Sequence, residues 1–144
     1  VPVGKHLFLP VINMFHQIPL GVKKGKKVMT CDRLQAAAAV NNDHLVSAVV
    51  LIDGVQVKNV ASYRVRSDGC FQMYPDLPED DRYITPLAAS DGYWLLIPPL
   101  PVGKHTIVVG ANYGAKEGGF HRMVQNFEYV LWVGIGDDGF AMVD

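Results

Sequence analysis

The residue types in this sequence that could bind a metal ion or transfer protons are its histidines and one run of acidic residues. The five histidines are His6, His16, His44, His105 and His121. His6 and His105 stand at equivalent positions before two predicted strands and could meet across a sheet. Asp76 and Glu79 lie in the acidic segment Pro75–Asp81 and could offer Ca²⁺ the oxygen ligands that it prefers. These four residues, two histidines and two carboxylates, are the candidate metal ligands.

The spacing of these residues argues against a metal site of a known type. The histidines occur at no recognised ligand spacing, and a metal site also needs a third ligand and partners that orient the ligands. The acidic segment does not match the D-x-[DN]-x-[DN]-G pattern of a calcium loop. We therefore interpret the histidines as structural and the acidic segment as a solvated loop, with the metal site as the alternative.

A cluster of lysines around Gly25 could bind an anionic ligand. It consists of Lys23, Lys24, Lys26 and Lys27. Four like charges at such short spacing repel one another, so this segment is predicted to be a solvated, mobile loop. A grip on an anionic ligand or surface is the alternative.

Aromatic residues of two predicted strands could form a platform for a carbohydrate or another planar small molecule. The candidates are Trp94 and Trp132, with Tyr93 and Tyr129 beside them. Successive residues of a strand point to opposite faces of a sheet. We therefore expect at least one of Tyr93 and Trp94 to lie in the core.

The sequence contains no signature of covalent catalysis or of cofactor binding. It has no G-x-S-x-G elbow and no phosphate-binding glycine motif. Adjacent carboxylates occur only at Glu79–Asp81 and Asp137-Asp138, in loops that would not bury a general acid. We therefore predict a non-catalytic binding or interaction module without a cofactor. The alternative is an enzyme with a metal or acid–base site built from loop histidines and carboxylates.

Length and charge exclude several classes of protein. The 144 residues are sufficient for a single domain, spanning 1–144, with one core. With 13 basic and 14 acidic residues the net charge is −1, without the positive excess typical of nucleic-acid binding. No apolar stretch reaches the roughly 18 residues of a membrane span. Cys31 and Cys70 form either one disulfide, in an oxidising compartment, or two buried reduced thiols.

The elements that would position these residues are mostly strands. Asp91–Asn112 contains two apolar runs around a proline-rich segment and is predicted to be the core hairpin. The pentapeptide P-V-G-K-H occurs at Pro2–His6 and again at Pro101–His105. Pro and Gly at these spacings form a turn, so both copies are expected to lead into strands of one sheet system.

Two shorter patterns also predict strands. Asp53-Gly54 favours a type I′ hairpin turn, because that turn needs positive φ at both central positions. Ser62–Ser67 alternates, which predicts a half-solvated strand with its two arginines on one face and Tyr63 and Val65 on the other.

One helix is predicted, over Asp32–Asn41. Asp32 and Gln35 match a capping box, a run of alanines favours the helix, and Asn41 or Asn42 is expected to end it in the left-handed conformation. The helix would cover an open end or face of a sheet. Strands at short intervals with turns between them then predict an all-β fold. We expect a mostly antiparallel two-sheet β-sandwich, jelly-roll or immunoglobulin-like, with this one short α-helix.

Two longer segments carry a resemblance to a known family. They read V-P-x-G-K-x-L-F-x-P-V-I-N at Val1–Asn13 and D-G-Y-W-L-L-x-P-P-L-x-x-G-x-H-T-I at Asp91–Ile107. An alanine-rich helix, a D-G hairpin, a Y-R-V strand and an L-P-E-D loop lie between them in order. With these segments the chain resembles a family of uncharacterised bacterial proteins that are usually exported. The resemblance implies a periplasmic or secreted protein and brings no known activity.

The start of the chain departs from that family. Val1–Pro10 contains polar residues and prolines where a signal peptide has its apolar segment. If upstream strands are missing, a sheet edge or an apolar face is uncovered, and such edges tend to pair with another chain. We therefore predict a homodimer formed through the uncovered surface, with a small-molecule, carbohydrate or anionic ligand as the other expected partner.

Overall fold

The computed structural model of the chain, which describes residues 1–76, 78–114 and 123–134, consists of two antiparallel sheets packed face to face. In chain order its elements are β1 Leu7–Gln17, α1 Cys31–Asn42, β2 Leu45–Ile52, β3 Val55–Gln56, a 3₁₀ helix Val60–Tyr63, β4 Arg64–Arg66, β5 Phe71–Gln72, β6 Leu87–Ile97, β7 Gly103–Tyr113 and β8 Met123–Val133. The first sheet has the order β1-β6-β4, with β5 also paired to β6, and the second has the order β3-β2-β7-β8. The predicted all-β, two-sheet sandwich with one helix is confirmed. No helix in the described part of the chain is both long and apolar enough to cross a membrane.

The proline-rich segment between β6 and β7 connects the two sheets, so the predicted hairpin over Asp91–Asn112 is wrong. β6 pairs with β1, β4 and β5, whereas β7 lies between β2 and β8. Proline has no backbone N–H to donate to a ladder. Pro98, Pro99 and Pro101 therefore favour a crossing between layers over a tight hairpin turn. Both apolar runs are still core strands, each in its own sheet.

Both copies of the repeated P-V-G-K-H segment lead into a strand, as predicted, but the two strands belong to different sheets. The first copy precedes β1 at Leu7, and the second runs into β7 at Gly103. Gly4 has a φ of 77° and Gly103 a φ of 144°. A β-carbon would be strained in this region, which explains the glycine of the motif. The same five residues thus lead into both layers of the sandwich, although their glycines differ in backbone conformation.

The Asp53-Gly54 turn between β2 and β3 is of the predicted hairpin type. Its φ values are 50° at Asp53 and 79° at Gly54, both positive as a type I′ turn requires. The strand that follows is short. Asn59 adopts the left-handed conformation, with a φ of 55°, and the 3₁₀ helix begins directly after it.

The start of α1 differs from the predicted capping box. The helix begins at Cys31, so Asp32 lies within its first turn rather than before it. The side-chain amide of Gln35 donates to the carbonyl oxygen of Ser67 at 3.2 Å, and so joins the helix to the segment after β4. A disulfide between Cys31 and Cys70 ties the same end of the helix to the residue before β5. Of the two states left open for the cysteines, the structure has the disulfide.

The end of α1 differs from the prediction because its asparagines are buried between the sheets. Asp43 follows with a right-handed φ of −65°, so the predicted left-handed end at Asn41 or Asn42 is wrong. Asn42 instead joins both sheets. Its Oδ1 accepts from the Tyr113 hydroxyl at 2.6 Å, and its backbone oxygen accepts from the Tyr93 hydroxyl at 3.0 Å. Burial raises the pKa of both tyrosines.

Candidate functional site

The lysine-rich and acidic segments, distant in the sequence, lie side by side in the structure. The backbone N–H of Lys24 donates to the carbonyl oxygen of Arg82 at 2.9 Å, and the backbone N–H of Ile84 donates to the carbonyl oxygen of Val22 at 2.8 Å. The ammonium of Lys24 lies 3.3 Å from a carboxylate oxygen of Asp81. Backbone pairing therefore holds the two loops together, and the exposed ion pair adds little to it.

A cleft of about 490 Å³ opens between these two loops. The residues around it include Leu20, Lys24, Gln72, Glu79, Tyr83 and Thr85. Its volume lies within the range of small-molecule sites, roughly 300–1,000 Å³. Lys24 from the predicted anion-binding cluster and Glu79 from the candidate metal ligands meet here. The other three lysines of the cluster, Lys23, Lys26 and Lys27, are exposed on the same loop as Lys24.

The four candidate metal ligands lie in three different parts of the fold. His105 is in β7 of the second sheet and His6 precedes β1 of the first, so the predicted meeting across one sheet is wrong. Asp76 and Glu79 are exposed in the acidic loop. Among the described residues, which do not include His121, no group of three or more His, Cys, Asp or Glu side chains is placed to hold a metal ion. The enzyme alternative stays a prediction.

His105 has a partner at each ring nitrogen. Its Nδ1 lies 2.6 Å from Oδ2 of Asp53, and its Nε2 lies 2.8 Å from the carbonyl oxygen of Pro101. A carbonyl oxygen and a carboxylate both accept, so this arrangement favours a proton on each nitrogen. The Asp53 carboxylate raises the pKa of His105, and the His105 ring lowers the pKa of Asp53. A ring bound in this way has no lone pair left for a metal ion.

A buried carboxylate with two arginines is the cluster that the sequence did not predict. Asp91 is 1% exposed, and its two oxygens accept from Nε and Nη2 of Arg64, each at 2.8 Å. Nε of Arg66 lies 2.7 Å from the same carboxylate, and both arginines also contact Asp43 after α1. The carboxylate of Asp91 raises the pKa of Arg64. With both oxygens engaged, Asp91 joins α1, β4 and β6 and is not available as a base.

The signal for this cluster was present in the sequence. The alternation in Ser62–Ser67 placed Arg64 and Arg66 on one face, but it did not show that this face is the inward one. Pairing of Arg66 with Asp91 on β6 puts the arginines on the inner side, and leaves Tyr63 and Val65 exposed. Asp91 lies within an apolar strand, and a buried carboxylate needs an oppositely charged partner. That requirement is the signal in the sequence that points to the two arginines.

The two tryptophans lie on opposite outer faces of the sandwich. Trp94 on β6 stacks on Phe8, with ring centroids 5.2 Å apart and planes 8° apart. Trp132 on β8 lies beneath the ammonium of Lys104, which is 5.6 Å from its ring centroid. Tyr93 is buried in the core, as the alternation predicted. The structure therefore does not bring Trp94 and Trp132 into one platform.

The long strands of the first sheet carry no charged side chain on their outward side. The register places these residues on the outward side: Phe8, Pro10, Asn13, Phe15 and Gln17 on β1, and Ala88, Ser90, Gly92, Trp94 and Leu96 on β6. Together these residues form the outer face of the first sheet. Ala88 and Gly92 are nevertheless buried, so the most exposed part of this side is the end with Phe8 and Leu96. Phe8 is 65% exposed, and Leu96, its partner across the ladder, is 67% exposed. The outward residues of a solvent-exposed sheet are normally polar. The exposed apolar side chains of Phe8 and Leu96 distinguish this surface from such a sheet.

Comparisons with known proteins add neither a family nor a function. No protein-family model matches the chain, and no curated protein or solved structure is significantly similar to it. The resemblance to exported bacterial proteins therefore stays a prediction.

Proposed function

We propose that this protein is a non-catalytic interaction module that binds a second copy of itself through the outer face of the first sheet. The observation that carries the proposal is the absence of charge from this face, together with the exposure of Phe8 and Leu96 at one end of it. Covering apolar surface stabilises a complex by about 25 cal/mol per Å² before the costs of association. Contiguous apolar patches mark interaction sites on soluble proteins, and Phe8, Trp94 and Leu96 form such a patch at one end of this face.

A second copy suits this face because the face is complementary to itself. In a twofold dimer the same patch is used by both partners, so like residues approach one another. A charged patch would repel its own copy, and the outer face has no charged residue to do so. Two sheets also pack well face to face, at a spacing of about 10 Å.

The flat footprint of the outer face can be compared with that of a standard interface. Strands rise about 3.3 Å per residue and lie about 4.8 Å apart, so β1 and β6 with the short strands beside them cover roughly 30 by 14 Å. Side-chain relief makes the accessible area larger than this flat footprint. The flat footprint is about half of the ~800 Å² per partner of a standard interface, so exposed neighbours such as Val65 and Phe71 are expected to take part in the contact.

Leu96→Lys tests the proposal by placing like charges at the predicted interface. Wild-type protein is expected to be a dimer by light scattering at tens of micromolar, and the variant is expected to dissociate about tenfold or more readily. Val46→Lys is the matched control, because Val46 is also 67% exposed but lies in β2 of the second sheet. A monomeric wild type, or equal effects of the two substitutions, would refute the proposal.

A second candidate function is binding of a small zwitterionic ligand in the cleft between the two charged loops. The observation that favours it is the position of Lys24 beside Glu79 and Asp81 around the cleft. An ammonium near carboxylates can bind both an acidic and a basic group of one ligand. In an NMR titration with glycylglycine, lining residues such as Tyr83 are expected to shift. Lys24→Met should abolish these shifts and Lys27→Met should retain them; no shift in the wild type would contradict this function.

We also propose that the protein works in an oxidising compartment, the periplasm or the cell exterior. The Cys31–Cys70 disulfide supports this location, because such bonds persist where thiols are not kept reduced. The family resemblance points the same way. Protein isolated from its native cells without reductant should not react with a maleimide; labelling of the two cysteines would contradict the location.

A further inference from the structure

Strand β8 is at the edge of the second sheet, and most of its outer edge is unpaired in the described part of the chain. Its other side pairs with β7 over its whole length. Among the described residues only Val1 bonds to the outer edge. The Val1 nitrogen donates to the Trp132 oxygen at 2.6 Å, and the Gly134 nitrogen donates to the Val1 oxygen at 2.9 Å. An open row of backbone donors and acceptors is a template for another strand.

The bonds of Val1 show which residues of β8 direct their backbone groups outward. The backbone oxygen of Trp132 and the backbone N–H of Gly134 point toward Val1. Along a strand, the backbone N–H and C=O groups of successive residues point to alternate sides. The even-numbered residues from Val124 to Val130 therefore present N–H and C=O groups to the open edge, and the odd-numbered ones bond to β7. Val1 bonds to both sequence neighbours of Val133, Trp132 and Gly134. In a parallel ladder one residue bonds in this way to the two residues that flank its partner. A strand that continued this pairing would run parallel to β8.

The first sheet covers the inward side chains of β7 but leaves some inward side chains of β8 partly exposed to solvent. On β7, Ile107 and Val109 are almost completely buried. On β8, Tyr129 pairs with Ile107 on the same inward face and is nevertheless 40% exposed. Phe127 packs edge-on against Tyr129, with centroids 5.6 Å apart, and is only half-buried. The sole charged residue in the sequence of β8, Glu128, is on the opposite face.

We infer that the open edge of β8 binds an extended, uncharged polypeptide strand from a partner, with apolar residues at alternate positions. Backbone hydrogen bonds to residues 124–130 supply the affinity, and the apolar side chains cover Phe127 and Tyr129. In the pairing that Val1 displays, these apolar residues are also the ones whose N–H groups face β8. This edge belongs to the second sheet, so its binding and the dimer through the outer face of the first sheet can fail independently.

The probe for this inference is the blocked peptide acetyl-Ser-Val-Ser-Ile-Ser-Val-Ser-amide. In the wild-type chain, peptide is expected to slow hydrogen exchange about tenfold or more at the amides of Val124, Asn126, Glu128 and Val130. The amides of β7 should not change, because they are bonded within the sheet already. Two results would overturn the inference: no added protection at millimolar peptide, or full protection of these amides before peptide is added.

Val130→Pro separates strand addition from other modes of binding. It removes an outward N–H and places a ring against the added strand, and the bonds to β7 are kept. Peptide affinity is expected to fall about tenfold. Val130→Thr keeps the N–H and is the matched control, with wild-type affinity expected. Equal affinity in the two variants would contradict strand addition.

Modified peptides test the same point without changing the protein, should Val130→Pro not fold. A peptide methylated at the backbone nitrogens of its valines and isoleucine loses the N–H groups that face β8. It is expected to bind at least about tenfold more weakly. Methylation at the inner serines is the matched control, because those N–H groups point away from β8. Equal binding of the two methylated peptides would overturn the inference.

Discussion

Gly92 on β6 and Asn13 on β1 approach so closely across their ladder that no β-carbon fits on Gly92. One built there would overlap the β-carbon of Asn13 and lie 2.9 Å from its α-carbon. It would also lie 3.0 Å from the indole nitrogen of Trp94. Glycine at this position therefore allows the two long strands of the first sheet to pair closely beneath the tryptophan of the outer face.

Gly92→Ala is expected to lower the free energy of unfolding by about 1–3 kcal/mol, because the contact is with backbone and the ladder must shift. Gly110→Ala on β7 is the matched control. Its β-carbon would meet only a side-chain oxygen of Asn126, at 3.1 Å, which can rotate away. Urea unfolding of both variants measures the difference, and equal losses would contradict the explanation.

Asp91→Asn is expected to lower the free energy of unfolding by about 3 kcal/mol, since it leaves the partly buried Arg64, and the more exposed Arg66, without the buried carboxylate. Asp80→Asn makes the same chemical change in the ion pair with Arg82, which lies at the surface. Such surface pairs contribute little. Thermal or urea unfolding should therefore show a large loss for the first variant and a small one for the second; the reverse order would contradict the structure.

Loss of the disulfide is expected to destabilise the protein by about 4 kcal/mol, because the unfolded chain regains the freedom of the loop between Cys31 and Cys70. The variant with both cysteines replaced by serine should unfold at lower urea concentration than the wild type. Reductant should destabilise the wild type similarly and leave the double variant unchanged. An equal effect of reductant on both proteins would show that the disulfide is not the cause.

Stability is expected to depend on pH through His105 and Asp53. The folded pKa of His105 is raised, so its contribution is complete below the unfolded pKa of about 6.5 and is lost as pH rises through the raised value. The folded pKa of Asp53 is lowered, so its contribution is complete above about 3.8 and is lost as pH falls through the lowered value.

His105→Gln measures the histidine part of this dependence. The difference in unfolding midpoint from wild type is expected to be largest near pH 5–6 and to shrink toward pH 9, about the range in which the imidazolium loses its proton. His6→Gln, at an exposed position before β1, is the control and should give a smaller difference than His105→Gln near pH 5–6. A constant difference for His105→Gln would show that the pairing is not linked to protonation.

Predictions that rested on neighbouring residues agree best with the structure. The Asp53-Gly54 turn has the expected φ values because positive φ is a property of the turn residues themselves. The helix predicted over Asp32–Asn41 is off by one residue at each end, since alanines propagate a helix wherever it starts. Its caps were wrong because burial of Asn42 and the bond from Gln35 to another segment override the local preference.

Predictions that required knowledge of distant partners were wrong or were not made. An apolar run does not specify which strand lies beside it. The sequence therefore predicts that the two runs of Asp91–Asn112 pair with each other, whereas in the structure β6 pairs with β1 and β7 pairs with β8. Lys24 and Asp81 were assigned to separate loops, and nothing local showed that they meet. The inward turn of Arg64 toward Asp91 was missed for the same reason.

By itself the sequence determined the secondary structure of its main segments, the turn at Asp53-Gly54 and the all-β, two-sheet fold class. These follow from backbone and side-chain preferences that act over a few residues. Only the tertiary structure decided that the uncharged residues of β1 and β6 share one outer face, and that β8 forms an open edge. Which side of a strand is covered depends on the free energy of the whole packed chain, and no single segment contains that information.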